Sequence, residues 1–182
     1  MEPQNLEINP TENLRAISLW LDNYDDVFSD FDPRPFSERA ISDDFLVEAK
    51  KMFRENSKGR FELRLLIPQA VRNPKDESLV STRLRRYFKV LEQEERKKIA
   101  QETRRGLLLT GLGFFLLVMA VFLFRLELAS LWADFLLVLM EPAGWFTTWF
   151  GMDKLFYDVP EGKKNHVFTH KMAEAVISFV SY

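Results

Sequence analysis

The sequence predicts a small cytoplasmic α/β domain of βαβ type carrying a two-helix transmembrane hairpin, and three patterns point to it. Gly106 to Phe124 reads GLLLTGLGFFLLVMAVFLF, free of charge and polar only at Thr110. At about 1.5 Å per residue, a helix of that length approaches the ~30 Å hydrocarbon core of a bilayer. A helix in a soluble core shows a polar face somewhere along its turns, and this one does not. Leu128 to Phe150 is a second apolar run, and only Arg125-Leu126-Glu127 separates the two, so they form a tight hairpin. Ahead of both, a strand, a helix and a second strand follow one another, as in a βαβ unit with parallel strands.

Residues 1–13, with Pro3 and Pro10 among polar neighbours, form a loose terminus. They hold no basic segment followed by an apolar one, so no signal peptide is expected. Leu14 to Phe28 carries two competing periods. Leu14, Ile17, Leu21, Tyr24 and Phe28 fit a helical face, whereas Ile17, Leu19 and Leu21 alternate. A strand from Ala16 to Leu21 is favoured, because Asp22-Asn23 and Asp25-Asp26 supply turn chemistry directly afterwards. Pro33 and Pro35 exclude a regular helix over Asp30 to Pro35. A helix then starts at Ser42 as N-cap, with Asp43 and Asp44 in its first turn and Phe45, Leu46, Ala49, Met52 and Phe53 on its apolar face. It ends between Asn56 and Gly59, with Gly59 as a left-handed cap.

Phe61 to Ile67 alternates between Gly59 and Pro68 and is the clearest strand. The next helix opens on Asn73 as N-cap and Pro74 at its first position, with Asp76 and Glu77 against the dipole. Val80, Leu84, Tyr87, Phe88 and Leu91 follow at helical spacing, enough to cover one face of a small sheet. Glu92 to Arg105 is polar all round, with Glu92–Arg96 and Glu94–Lys98 at i,i+4, and runs as a stalk into the first span. Beyond the second span, Trp145, Phe146, Trp149, Phe150, Leu155 and Phe156 mark a membrane–water interface. Pro142 is placed to begin a separate surface-lying helix, and Tyr157 to Asn165 reads as a polar loop. The terminal Val176 to Val180 is rich in strand formers and is expected to return to the strand at Phe61 to Ile67. The predicted organisation is thus 1–105 for the α/β domain and stalk, 106–150 for the hairpin, and 151–182 for the interfacial helix, loop and final strand.

Charge sets the orientation. The net charge of −2 conceals segregated signs, acids in the first fifty residues and bases from Lys75 to Arg105. Arg96, Lys97, Lys98, Arg104 and Arg105 precede the first span; Lys154, Lys163, Lys164 and Lys171 follow the second; the turn holds only Arg125. By the positive-inside rule both termini are cytoplasmic, in a multi-pass protein of the inner or plasma membrane. The same five bases before the first span would contact anionic lipid headgroups. The absence of cysteine excludes disulfides and thiolate chemistry.

Three clusters carry potential chemistry. Asp22, Asp25, Asp26, Asp30 and Asp32 offer carboxylate oxygens of the kind that hold Mg²⁺ or Ca²⁺, but without EF-hand spacing. VFSDFD also mimics the start of aspartate-nucleophile phosphatases, whose doubly wound sheet does not fit in roughly 80 residues. Turns, caps and pairs with Arg34 and Arg39 account for these acids. His166, His170 and Glu174 would share a helix face suited to a metal, although Val167 stands where a zincin motif needs Glu. Asp134 and Glu141 are intramembrane acids at i,i+7, each costing ~2.5–3.5 kcal/mol on insertion scales. The bland alternative puts Glu141-Pro142 at the cytoplasmic interface as a helix break and Asp134 near the outer surface. Gly106, Gly111 and Gly113 permit close helix approach without forming GxxxG, and no repeat is evident. No phosphate loop, Ser/His/Asp set or aromatic-basic stripe occurs, so neither a cofactor nor a nucleic-acid partner is expected.

Taken together, SDFDPRPFSERAISDDFL, ELRLLIP, EPAGWF followed by GMDKLFYD, and the terminal ISFVSY give the chain its likeness. It resembles a broad group of uncharacterised bacterial and archaeal two-span membrane proteins. That resemblance implies a membrane location, no particular activity and no site residues. The leading expectation is a non-enzymatic, membrane-anchored module that binds another membrane protein or forms a homo-oligomer. An oligomeric ion or proton pathway through Asp134 and Glu141, and a metal-dependent enzyme at Asp22 to Asp32, are the alternatives.

Overall fold

The computed structural model describes residues 14–55, 60–126 and 130–182. They fall into two compact units, one of residues up to 92 together with 167–182, the other of residues 93–166. The expected glycine cap at Gly59, the terminus before Leu14 and Glu127 of the turn lie outside the described residues.

The first unit is built on a parallel sheet of β1 (Leu14–Trp20), β2 (Arg60–Ile67) and β3 (Val176–Ser181), in the order β1-β2-β3. Ile17 pairs with Leu63, and Leu63 with Ile177; Leu19, Leu65 and Phe179 form the next row. Because side chains alternate, these residues share one face with Phe61 and Ile67, and that face is buried. Phe45, Ala49 and Phe53 of α1 (Asp43–Glu55) pack into the same core. So do Val80, Leu84 and Phe88 of α2 (Pro74–Arg125), and Phe168 and Met172 of α4 (Val159–Glu174). The C-terminal strand therefore returns to β2, and the long helices lie in sequence between two neighbouring strands. β1 starts two residues before the expected Ala16, since Leu14 finds a partner at Arg60.

Local chemistry fixes the connections. Asp22 and Asn23 cap a 3₁₀ turn at Tyr24–Val27, where the Asn23 side chain accepts from the Asp25 N–H at 2.7 Å and Asp26 accepts from the Asn23 N–H at 3.1 Å. The hydroxyl of buried Tyr24 accepts from the Asn73 N–H at 2.8 Å, tying this turn to the start of α2. Asn73 caps as expected, accepting from the Lys75 N–H at 3.1 Å.

On the opposite face, Glu62, Arg64 and Leu66 are half-buried among the described residues. Trp20 is 68 % exposed and meets Tyr182 edge-on, with ring centroids 4.3 Å apart. Between them and Val176 lies a small polar network: Arg64 pairs with Glu62 at 2.8 Å, and Ser178 donates to Glu62 at 2.8 Å.

The second unit contains the remainder of α2, then α3 (Leu131–Asp153), a π-helical turn at Lys154–Asp158 and the first half of α4. Here two expectations fail. Pro142 lies inside α3 and starts no new helix, and Tyr157 to Asn165 is helical and forms no loop. Proline breaks a helix when its ring meets the carbonyl one turn back and removes a hydrogen bond. The widened π turn ends two residues before Pro160, where Val159 reaches back five residues to the Lys154 carbonyl, and relieves that conflict. Gly162 serves as a contact residue: a Cβ there would stand 2.9 Å from Ile99 Cγ1.

α2 is long and apolar enough to cross a membrane. Only 11 % of its most apolar window is buried within the protein, whereas the core helix of a soluble protein would be mostly buried. The two apolar helices run antiparallel along a seam of small residues. A Cβ at Gly113 would clash with Thr148, and one at Gly151 with Thr110. Gly106 faces Leu155, and Gly144 faces Leu117. The contacts are reciprocal because each helix carries the same spacing, Gly106-Thr110-Gly113-Leu117 and Gly144-Thr148-Gly151-Leu155. A short repeat thus exists where none was expected. Its signature is Gly-x₃-Thr, which brings backbones together as GxxxG does. The hydroxyls of Thr110 and Thr148 are buried with no hydrogen-bond partner among the described residues. Lying against the glycine backbone of the facing helix, they are placed for weak Cα–H···O contacts.

Candidate functional site

Close packing of the glycine seam forces the polar residues just before Gly106 against those just after Asp153. The result is a cavity of about 310 Å³ between α2 and the π turn with the start of α4. Lys98, Glu102, Asp158, Glu161 and Asn165 give it polar walls, and Ile99 and Gly162 complete its lining. At its rim Lys154 Nζ donates to Glu102 at 2.8 Å and to Asp158 at 3.2 Å, and Arg105 reaches Glu102 at 3.4 Å. The π turn contributes here: one extra residue per turn rotates everything after it by about 100°.

Electrostatics follow from the pairing. The Lys154 ammonium, bonded to Glu102, holds that carboxyl below its ordinary range. In return Glu102 first, then Asp158, raise the Lys154 ammonium above its usual value. Lys154 thus stays charged and anchored, and its charge is spent on two carboxylates. Glu102, Asp158, Glu161 and Asn165 were not singled out from sequence, and Lys154 only as one of the bases after the second apolar run, because polar residues at helical spacing read as solvated surface. The available signal was Lys154 and Asp158 at i,i+4, opposite an acid one turn before an apolar run.

The residues that sequence did single out are distributed as follows. Arg96, Lys97, Lys98, Arg104 and Arg105 are all exposed on the stretch of α2 before the apolar segment, and only Lys98 lines the cavity. Asp134 is exposed in the first turn of α3, where a carboxylate complements the helix dipole. Glu141 lines a second cleft, of about 290 Å³, with Leu117, Ala120, Val121, Phe124 and Leu137. The seam pairs Gly144 with Leu117, so Glu141 sits one turn farther on, opposite residues roughly 20 Å along α2 from Gly106. No helix break falls at Glu141-Pro142, because α3 continues unbroken to Asp153.

The acidic stretch is consumed by its own turns. Asp26 accepts from the Asp22 and Asn23 N–H groups, and Asp25 pairs with Arg39. Asp32 takes Arg34 in a bidentate pair at 2.9 and 2.7 Å and accepts from the Ala40 N–H at 2.7 Å. Those bonds, Arg34 foremost, hold its carboxyl well below the usual carboxylate range. Asp30 lies in the exposed turn between them. His170 contacts Glu92 at 2.8 Å and Glu174 at 3.7 Å, while His166 lies one turn earlier on α4. Among the described residues no three His, Asp or Glu side chains converge as a metal site. Comparison with protein-family models, curated proteins and solved structures gives no match.

Proposed function

We propose that the chain is a two-span membrane protein whose apolar helices anchor a non-enzymatic α/β domain at the cytoplasmic surface, where it docks a membrane protein or a second copy. One observation carries the proposal: α2 is a single helix that supplies Val80, Leu84 and Phe88 to the sheet's core and then a charge-free segment with little protein cover. The antiparallel seam supports α3 crossing at the same depth. The bases flanking Gly106 and following Asp153, against Arg125 alone at the turn, support cytoplasmic termini. The face around Trp20 and Tyr182 is the natural docking surface, since large exposed aromatics are enriched at interfaces. Alkaline carbonate extraction tests the anchoring: the full chain should stay in the membrane pellet, and release into the supernatant would refute it. Purification in mild detergent should then retain a partner or a dimer, and Trp20→Glu should abolish that retention without altering extraction.

A second reading has its own observation. Glu141 is an acid deep in the apolar segment beside a cleft of apolar side chains, a default position for an ion or proton pathway. Proton or cation flux in vesicles reconstituted with the full chain, abolished by Glu141→Gln and retained in Asp134→Asn, would favour it over anchoring alone.

A further inference from the structure

We propose that the cleft beside Glu141 binds a quaternary ammonium or similarly alkylated organic cation. This assignment rests on the second reading above, in which Glu141 lies within a membrane span, and names the cation. The cleft forms where the close packing of the seam gives out. Leu117 packs against Gly144, and one turn farther along α2 the short side chain of buried Ala120 leaves a hollow of about 290 Å³. Leu117 and Leu137 line it half-buried, while Val121, Phe124 and Glu141 stand exposed around it. A hollow of that volume is at the lower end of small-molecule sites.

Charge complementarity selects a cation. Among the described residues that line the cleft, Glu141 alone carries a charge, and the others are Leu, Ala, Val and Phe. Arg125, the base at the turn, is exposed and does not belong to the lining. Ala120 lies five residues, about 7.5 Å of helix, before Arg125, so on the two-span reading the cleft is within the apolar layer. A carboxylate there is costly unless a positive charge answers it.

Ligand chemistry then narrows the class. A calcium or magnesium ion takes about six or more oxygen ligands, and one carboxylate among hydrocarbon side chains does not supply them. A primary ammonium brings three N–H donors pointing in different directions, more than a carboxylate on one side can accept. The donor left over would be unsatisfied among apolar walls. A quaternary ammonium has no donor to satisfy. Its alkyl groups suit Leu117, Val121 and Leu137, its charge suits Glu141, and the Phe124 ring adds a face that attracts cations.

The test titrates the full chain in detergent with benzyltrimethylammonium and, separately, with benzylammonium, and reads binding by isothermal titration calorimetry. Saturable binding of benzyltrimethylammonium is expected, about tenfold tighter than that of benzylammonium. Glu141→Gln should weaken it by roughly tenfold or more and Phe124→Leu by about fivefold, with circular dichroism unchanged. Ala120→Leu, which fills the hollow and keeps the charge, should also weaken it, whereas Asp134→Asn should not. Absence of saturable binding, equal or tighter binding of benzylammonium, insensitivity to Glu141→Gln, or displacement by excess calcium ions would overturn the assignment. Proton flux that depends on Glu141, in a protein that does not bind benzyltrimethylammonium, would overturn the organic cation and leave the ion pathway standing. Recovery of the chain in the soluble fraction without detergent would instead overturn the membrane span on which both rest.

Discussion

Lys154 binds two carboxylates from different turns, and its pairing makes a pH prediction. Glu102 has its carboxyl depressed by that contact, below an ordinary value near 4.3. A group whose folded pKa is lowered contributes stability that is complete above the unfolded value and lost as pH falls through the folded one. In detergent, the melting temperature should therefore hold steady from pH 7 to 5 and fall below about pH 4. Glu102→Gln should melt lower at pH 7 and show a smaller drop in acid. Equal acid sensitivity in both proteins would remove Glu102 from the account. Glu62 obeys the same sign, held down by Arg64 first and by Ser178, so Ser178→Ala should cost about 1 kcal/mol at neutral pH and less in acid. At this scale the bland readings of the sequence were the informative ones. Asp26, Asp25 and Asp32 do in the fold what turn chemistry and pairing with Arg39 and Arg34 require. Lys154 and Glu102 escaped because their meeting depends on a helix seam 52 residues of chain apart.

Among the elements, the seam between α2 and α3 gives the sharpest contrast. A Cβ at Gly111 meets nothing within 4 Å, whereas one at Gly113 runs into the backbone of Thr148. Gly111→Ala should therefore be neutral or stabilising by up to about 1 kcal/mol through helix propensity. Gly113→Ala should destabilise by about 1–3 kcal/mol, as overpacking does. Thermal unfolding in detergent measures both, and equal effects would mean that the helices do not touch here. The C-terminal strand offers a second element to remove. β3 is one of the two neighbours of β2, so deleting Ala175 to Tyr182 should accelerate amide exchange at Leu63 and Leu65. Alternation, N-cap residues and bounding Gly or Pro made β2, α1 and the start of α2 legible in advance. Pro142 and the stretch from Tyr157 to Asn165 misled. Proline and glycine are breakers only where nothing compensates, and in the stretch from Tyr157 to Asn165 the π turn before Pro160 and the contact of Gly162 with Ile99 do so; nothing in the structure explains the tolerance of Pro142. The Gly-x₃-Thr repeat lacks the paired glycines of GxxxG, yet a threonine hydroxyl against a glycine backbone allows the same approach.

For the whole molecule, the decisive feature is that the apolar helices interrupt one α/β unit in sequence: β1 and β2 precede them and β3 follows. On the two-span proposal, both chain ends of the hairpin lie on the side of the membrane where the sheet folds, in agreement with the bases at Arg104, Arg105 and Lys154. The insertion was legible because a terminus as apolar as Ala175 to Tyr182 needs a sheet to join. The position of Glu141 along the seam was not, since it depends on which residues of α2 face it. The chain contains no cysteine, so single cysteines can be introduced without altering any native thiol. The most direct measurement is labelling of Leu126→Cys and Ser181→Cys in intact cells with a membrane-impermeant maleimide. Two spans with cytoplasmic termini predict labelling of Leu126→Cys at once and of Ser181→Cys only after permeabilisation. Labelling of Ser181→Cys in intact cells, or identical behaviour of the two positions, would contradict it.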